Sequence, residues 1–162
     1  MGKTAKYLGL MSRERSPHRR QRETTRRLQI TVVSIGCGGV VGAIGRYSLS
    51  LAFPTQPGRF PWDTFLINLS GSLVLGFLLV LMIEQFPRGR LARPVIGTGI
   101  LGAYTTFSTF AVENVQLWRA GAAITSLWYI VTSVLGGLMA VWVGMTTARI
   151  VMRLERWLQE SP

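Results

Sequence analysis

The stretch with the most distinctive chemistry runs from Gly97 to Glu113 and reads GTGILGAYTTFSTFAVE. It is too apolar for a soluble loop, and its Gly and Thr residues disfavour an uninterrupted helix. Inside a bilayer, non-helical backbone persists only where it is buried in protein or lines a polar cavity, because unpaired N–H and C=O groups are costly there. The sequence therefore predicts that this stretch unwinds at Tyr104, Thr105 and Thr106, and that the break is a site.

An unwound segment inside a membrane span has different chemistry at its two ends. The half-helix before it ends in free carbonyl groups that suit a cation, and the half-helix after it begins with free N–H groups that suit an anion. Phe107 and Phe110 follow three residues apart, so their rings share a face if helix resumes. Ring edges carry the positive end of the aromatic quadrupole. Two interpretations stay open: the edges meet an anion, or both rings are core aromatics.

The composition indicates which elements position this stretch. The chain has 162 residues, of which 48% are hydrophobic and 15% charged, and its mean hydropathy is +0.31. These values indicate an integral membrane protein, in which a helix needs about 20 mostly apolar residues to cross about 30 Å of hydrocarbon. The sequence predicts an all-α membrane fold with four transmembrane helices, the third of them broken. The predicted spans are Ile30 to Phe53, Trp62 to Gln85, Pro94 to Trp118 and Gly121 to Arg149.

The predicted domain organisation follows from these spans. A basic cytoplasmic tail without fixed structure covers residues 1–29, a four-helix transmembrane domain covers residues 30–149, and a short cytoplasmic tail covers residues 150–162. Neither tail is long enough for a separate soluble catalytic domain. Nine Lys and Arg residues in the first tail are compatible with nucleic-acid binding, but beside a span they favour an orientation signal or contact with anionic lipid. We expect membrane lipid, and no nucleic acid, as the partner of this tail.

Polar residues form a stripe along two of the predicted spans. They recur every four residues, so they share one helical face; they are Asn68, Ser72 and Gly76 in the second span and Thr125, Tyr129, Ser133 and Gly137 in the fourth. An intramembrane Asn either bonds a neighbouring helix or takes part in conduction. Hydroxyl groups donate to an anion without titrating, whereas proton-coupled transport calls for a carboxylate or His near mid-membrane. The stripes favour passive permeation of an anion, with a structural membrane subunit as the alternative.

The first span holds two further features. Gly38 and Gly42 have the spacing that lets helix backbones approach closely in lipid, so they predict helix packing. Arg46 lies about two turns inside the hydrocarbon boundary, where it either snorkels to the surface or pairs with a buried partner such as Glu113. Cys37 is the sole cysteine of the chain, which excludes an intrachain disulfide.

Three motifs in order complete the pattern: Gly38-Gly39-x-x-Gly42-Ala43-x-x-Arg46-Tyr47, Asn68-x-x-Gly71-Ser72, and Gly102-Ala103-Tyr104-Thr105-Thr106-Phe107-Ser108-Thr109-Phe110-x-x-Glu113. Together they resemble the CrcB/Fluc fluoride channels, and the resemblance extends from Gly36 to about Arg149. It implies an antiparallel dimer of four-helix subunits with two fluoride pores and one structural sodium ion at the dimer centre. The implied function is passive fluoride export across the bacterial plasma membrane, which relieves fluoride toxicity and involves no enzymatic reaction.

The resemblance also implies roles for single residues. The backbone carbonyls of Gly102 and Thr105 would hold sodium, together with their counterparts in the second subunit. The implied fluoride pathway consists of an amide, two aromatic rings and several hydroxyls: Asn68, Phe107, Phe110, Ser108, Thr109, Tyr129 and Ser133. Arg46 and Glu113 would be structural. Ala103 stands where the family commonly has a second Gly, a departure that costs little. Gly137 stands where a hydroxyl can occur, which predicts a thinner polar track.

The distribution of basic residues indicates which protein supplies the second subunit. Four spans place both tails and the loop between the second and third spans on one side, with nine Lys and Arg in the first tail, three in that loop and three at the end of the chain. The other side has Arg59 and Arg119. Because Lys and Arg are retained in the cytoplasm, the chain should insert with its termini inside. We therefore expect an antiparallel dimer with a homologue of opposite charge bias, rather than with a second copy of this chain.

Two rival functions depend on residues that the spans would have to contain. A small multidrug transporter needs a membrane carboxylate early in the chain, and the segment from Ile30 to Phe53 has no acidic residue. An intramembrane hydrolase needs a base for Ser108 or Ser133, and no predicted span contains His. A non-conducting structural subunit remains the rival that the residues alone do not dismiss.

Overall fold

The computed structural model describes residues 17–84 and 91–160, and every regular element in those ranges is helical. The elements are α1 (Pro17–Ala52), α2 (Trp62–Glu84), a π-helix (Pro94–Leu101), the single turn α3 (Gly102–Tyr104), α4 (Phe107–Arg119) and α5 (Ala123–Glu160). Within the described residues, four helical stretches are long and apolar enough to cross a membrane: Gln21–Ala52, Trp62–Ile83, Pro94–Arg119 and Ala123–Gln159. The predicted all-helical membrane fold with four spans is confirmed.

The ends of the first and last helices differ from the predicted tails. Helix α1 begins at Pro17, within the segment expected to lack fixed structure, because Pro suits the first turn of a helix and no further Pro or Gly precedes Ile30. Helix α5 continues past Arg149 to Glu160, since that segment also lacks Gly and Pro. Residues 1–16 of the predicted tail, the predicted span end at Gln85, the loop residues Arg88 and Arg90, and residues 161–162 lie outside the described residues.

Helices α2 and α5 pack extensively against each other. Two glycines face the partner backbone: a Cβ on Gly76 would overlap the Val141 carbonyl, and a Cβ on Gly144 would overlap the Leu73 carbonyl. Small residues at such crossings allow close backbone contact, which is the main source of helix association in lipid. Farther along the pair, Val80 is buried with Ala148 and Met152, so α5 is packed as far as Met152, and residues 153–159 are exposed.

The π-helix lies against the glycine-rich part of α1. Gly38 faces the Val95 carbonyl, and Gly42 faces the backbone of Ile100 so closely that a Cβ would overlap it. The close packing predicted from the Gly38 and Gly42 spacing is therefore present. A π-helix is rare and is associated with functional sites, and this one ends directly before α3 and the candidate site.

Candidate functional site

The backbone leaves the helical conformation between α3 and α4. Thr105 has φ −77° and ψ 157°, and Thr106 has φ −148° and ψ 124°, so both residues are extended. Thr106 then caps α4: its hydroxyl oxygen accepts from the Thr109 N–H at 3.2 Å, and its O–H group donates to the Thr109 hydroxyl oxygen at 3.0 Å. The Ser108 hydroxyl lies 3.2 Å from the same oxygen. This is the N-cap geometry that Thr favours, and it gathers three hydroxyl groups at the start of α4.

Asn68 of α2 supplies the hydrogen bonds that the extended backbone needs. Its Nδ2 donates to the Thr106 carbonyl at 2.9 Å, and its Oδ1 accepts from the Thr106 N–H at 2.9 Å. One side chain thus satisfies both polar groups of a residue that lies outside any helix. The sequence left an interhelical bond and a conduction role open for Asn68; the first is present in this chain, and one Nδ2 hydrogen is left for another acceptor.

A cavity of about 410 Å³ lies beside the extended residues. Its lining comes from both sides of the backbone break and from the stripe on α2. The lining includes the polar residues Asn68, Ser72, Thr105 and Thr106 and the apolar residues Leu75, Leu101, Gly102 and Phe107. Phe107 is 79% exposed, so its ring stands at the surface of the single chain. In the described part of the chain, the carbonyls of Gly102 and Thr105 accept no hydrogen bond from outside the helices' own ladders. The cavity therefore has an amide residue, hydroxyl residues and an aromatic residue in its lining.

Aromatic rings continue from the cavity toward the end of the helices near the first loop. The Phe107 and Phe110 centroids are 5.8 Å apart, and those of Phe110 and Tyr129 are 4.9 Å apart. Phe60 of the first loop lies 5.2 Å from Tyr129 with its ring edge-on. These distances fall in the range of favourable aromatic pairs, so the rings form a continuous row from the break to the loop.

Glu113 is held by two hydroxyl groups. The Thr64 hydroxyl donates to Oε1 at 2.8 Å, and the Tyr129 hydroxyl donates to Oε2 at 2.7 Å. Thr64 is 1% exposed and Tyr129 is 0% exposed, so both donors are fixed by packing. Arg46 is half-buried, and no hydrogen bond or ion pair joins it to Glu113 within the described residues. The pairing of Arg46 with Glu113, one of two alternatives from the sequence, is not the arrangement in this chain.

The hydroxyl of Ser133 is buried and has no hydrogen-bond partner among the described residues. Its neighbour Thr132 behaves in the usual way, since its hydroxyl donates to the Trp128 carbonyl of the same helix at 2.7 Å. Buried hydroxyl groups without a partner are uncommon and need an explanation. A ligand that passes Ser133 would provide one.

Three residues of this network were not singled out from the sequence. Thr64 lies one turn before Asn68, so extending the stripe of α2 backward by four residues would have found it. Asn114 is buried, and its Oδ1 accepts from the Ser126 hydroxyl at 2.7 Å, which joins α4 to α5. Phe60 carries no sequence signal of its role, because an aromatic residue in a short loop is usually read as a membrane-interface anchor.

More than half of the chain matches a known protein family. A family model described as CrcB-like protein, Camphor Resistance (CrcB), matches residues 33–145. The chain belongs to the CrcB family. The match to CrcB covers α1 from Val33, α2, the π-helix, α3, α4 and most of α5, and so includes every residue of the site described above.

Named relatives of this CrcB chain come from several bacteria. It is 44% identical over 134 residues to "Fluoride-specific ion channel FluC 1" of Streptomyces coelicolor, an alignment that covers 82% of this chain and 85% of the relative. It is 42% identical over 118 residues to "Fluoride-specific ion channel FluC 2" of Nocardia farcinica, covering 73% and 84%. It is 41% identical over 116 residues to "Fluoride-specific ion channel FluC 2" of Streptomyces avermitilis, covering 72% and 73%. With its four spans, this CrcB chain is a multi-pass protein of the bacterial cell membrane.

Proposed function

We propose that the chain is a subunit of a fluoride-selective channel through which fluoride leaves the cytoplasm passively. The observation that carries the proposal is the extended backbone at Thr105 and Thr106, which Asn68 holds within a membrane span, beside a cavity that polar and apolar residues line together. Irregular backbone at that depth is expected only where it lines a cavity. The names of the relatives supply the ion, since they are called fluoride-specific ion channels.

The donors near the backbone break suit a small, strongly hydrated anion. We assign fluoride coordination to the free Nδ2 hydrogen of Asn68, the hydroxyls of Ser108 and Thr109, and the ring edges of Phe107 and Phe110. A narrow path lined by such groups replaces the water of fluoride, whereas the larger chloride ion fits them poorly. None of these groups titrates near neutral pH, so the transport is a leak down the gradient and not a coupled or enzymatic process.

The path continues along the aromatic row. Tyr129 packs against Phe110, and Ser133 lies one turn farther along the same face of α5. The unpartnered Ser133 hydroxyl supports this route, because a passing anion would accept the hydrogen bond that the described chain does not. Arg46 and Glu113 remain structural residues in this proposal.

A structural sodium ion fits the carbonyl groups at the break. We expect the carbonyl oxygens of Gly102 and Thr105 to hold it together with the same atoms of a second subunit, since oxygen ligands suit hard cations. Both residues line the cavity, and neither carbonyl has an outside donor in the described part of the chain. When bound, the ion would add positive charge near the fluoride path.

A second subunit accounts for the polar surface of the single chain. Gly102, Phe107, Ser108 and Thr109 are exposed, although they belong to a stretch that crosses the membrane. Polar groups facing lipid are costly, so an inverted four-helix partner would cover them and complete two pores. The third span would then consist of two half-helices that meet at the dimer centre.

The charge bias favours a homologue over a second copy as that partner. The basic residues lie almost wholly on the side of the termini, which favours a single orientation with the termini inside. Numbered relatives also occur together, as with FluC 1 and FluC 2 of Moorella thermoacetica. C-terminal reporters that are active on one side of the membrane would test the bias. Comparable reporter activity on both sides would refute it and support a homodimer.

The decisive assay is fluoride efflux from liposomes that contain the purified chain, alone and with an oppositely biased homologue, with chloride as the second ion. We expect rapid fluoride efflux without chloride efflux, lost in Phe107→Ile. The matched control is Phe65→Ile, because Phe65 packs against Phe60 and Trp62, away from the cavity. The absence of efflux in both preparations would favour the alternative, a non-conducting structural subunit, and efflux of organic cations would favour a multidrug transporter.

A further inference from the structure

The first loop, residues 53–61, has no role in the pathway proposed above, yet the fold fixes it in place. Gly58 has φ +76°, a conformation that glycine adopts without strain. The Thr55 hydroxyl donates to the Asp63 carboxylate at the start of α2, and the Arg59 N–H donates to the Gln56 carbonyl at 3.1 Å. Phe60 anchors the loop against Tyr129 at 5.2 Å. The loop is thus attached to a residue of the proposed fluoride path.

This loop and α4 border a second, partly open cavity. The cavity measures about 390 Å³, and its lining includes Arg59 and Gly58 from the loop and Glu113, Gln116 and Ala120 from α4 and its C-terminal end. We call it the mouth cavity. Glu113 links it to the path, because its carboxylate accepts from the buried Tyr129 hydroxyl, and Tyr129 packs against Phe110.

The charged side chains at the mouth cavity differ in whether they have hydrogen-bond partners. Both Glu113 oxygens accept hydrogen bonds from hydroxyl groups, and the nearby Asp63 carboxylate accepts from Thr55. Arg59 is exposed, and its guanidinium has no ion pair or side-chain hydrogen bond within the described residues. It is the one basic side chain among those that line the cavity. A free cation in a cleft raises the local concentration of anions.

We propose that Arg59 is a recruitment residue, which concentrates fluoride in the mouth cavity and offsets the repulsion from Glu113 and Asp63. The proposal rests on the fluoride channel function. A sphere of 390 Å³ is roughly 9 Å across, and a unit charge at about that distance in water changes the local concentration of a monovalent ion by about twofold. The effect is strong at 10 mM salt, where the Debye length is about 30 Å, and is screened at 1 M, where it is about 3 Å.

The test measures the charge sensed in the mouth cavity without relying on conduction. Gln116, which is exposed and lines the cavity, is changed to cysteine in a Cys37→Ala background. The rates of modification by an anionic and a cationic methanethiosulfonate are then compared in the full-length protein. Because the two reagents respond oppositely, and each by about twofold, Arg59→Gln should lower the anionic-to-cationic ratio about fourfold at 10 mM salt and leave it unchanged at 1 M.

The matched control is Arg119→Gln, which removes the same charge at the end of α4 from a residue that does not line the cavity. It should change the ratio less than twofold, and Arg59→Lys should preserve the ratio. An unchanged ratio in Arg59→Gln, an equal change in Arg119→Gln, or a change that persists at 1 M salt would overturn the proposal.

Fluoride flux at 10 mM salt, with fluoride supplied on the side of the first loop, supplies the second readout. Arg59→Gln should slow it about twofold, and Arg119→Gln should not. The anionic-to-cationic modification ratio can depend on Arg59 while the unmodified protein releases no fluoride. In that case the proposed function is wrong, and fluoride is not the ion that Arg59 recruits. If fluoride flows but the ratio does not respond to Arg59, only the recruitment role is overturned.

Discussion

The most informative single substitution is Asn68→Leu, which removes the side chain that holds the extended backbone. The change keeps the approximate volume of the residue but leaves the Thr106 N–H and carbonyl without the partners that lie at 2.9 Å in the structure. A polar group that loses its partner in a buried site costs about 1–3 kcal/mol. Hydrogen bonds between membrane helices average about 0.6 kcal/mol, because alternative partners exist.

The cavity beside Thr106 decides where in that range the cost falls. It holds about 410 Å³, which is ample for water, so both orphaned groups can be rehydrated in part. We expect each to cost about 1 kcal/mol, and the substitution to lower the free energy of unfolding by about 2 kcal/mol. That corresponds to about a thirtyfold change in the folding equilibrium. Fluoride efflux should fall further, because the amide donor is lost with the backbone geometry.

The assay is unfolding of the protein in bilayer or detergent, read beside fluoride efflux from liposomes. Asn114→Leu is the matched control, because Asn114 bonds Phe110 of its own helix and Ser126 of α5 and does not contact the break. It should lower stability while preserving more of the efflux. An Asn68→Leu protein whose unfolding free energy stays within about 0.5 kcal/mol of the unmodified protein would refute the role of Asn68 as the support of Thr106.

Three further predictions test other parts of the account. Tyr129→Phe should lower the free energy of unfolding by about 1–2 kcal/mol, because it removes the 2.7 Å hydrogen bond to Glu113 and keeps the ring; unchanged thermal unfolding would contradict it. Gly144→Ala should cost about 1–3 kcal/mol through overlap with the α2 backbone, while Gly36→Ala, which meets nothing within 4 Å, should cost nothing; equal unfolding free energies would contradict the α2–α5 contact. Replacing sodium by an organic cation throughout purification should lower the unfolding temperature of the dimer, and an equal temperature in both salts would argue against the sodium site.

The fold was largely predictable because lipid limits the alternatives. Each span needs a long apolar run, and these runs are visible in the sequence, so the number and type of the helices followed directly. The helix ends did not, because nothing in the basic segment after Pro17 or in the segment after Arg149 stops a helix. Burial of Met152 against Val80 is a tertiary contact that local sequence patterns do not contain.

The irregular backbone was indicated by the residue types, whereas the ion-binding roles of these residues stay predictions. Clustered Gly and paired Thr residues indicated irregular backbone near Thr105, and the structure has extended residues there. The partners of that backbone were not predictable in detail. Asn68 could have bonded any neighbouring helix, and Thr64 and Phe60 reach Glu113 and Tyr129 only through the packing of α2 and the first loop against α4 and α5. Such long-range pairings leave no local pattern in one sequence.

The central claim, that the polar break forms a path selective for fluoride, is tested most directly by a reversal potential in planar bilayers. Fluoride is placed on one side and chloride on the other at equal concentration, with the dimer that conducts in liposomes. The account predicts a reversal potential displaced far toward the fluoride equilibrium potential, and a loss of current in Phe107→Ile. A reversal potential near zero would show that the path does not distinguish the two halides, and it would contradict the assignment of Asn68, Phe107 and Phe110 as fluoride ligands.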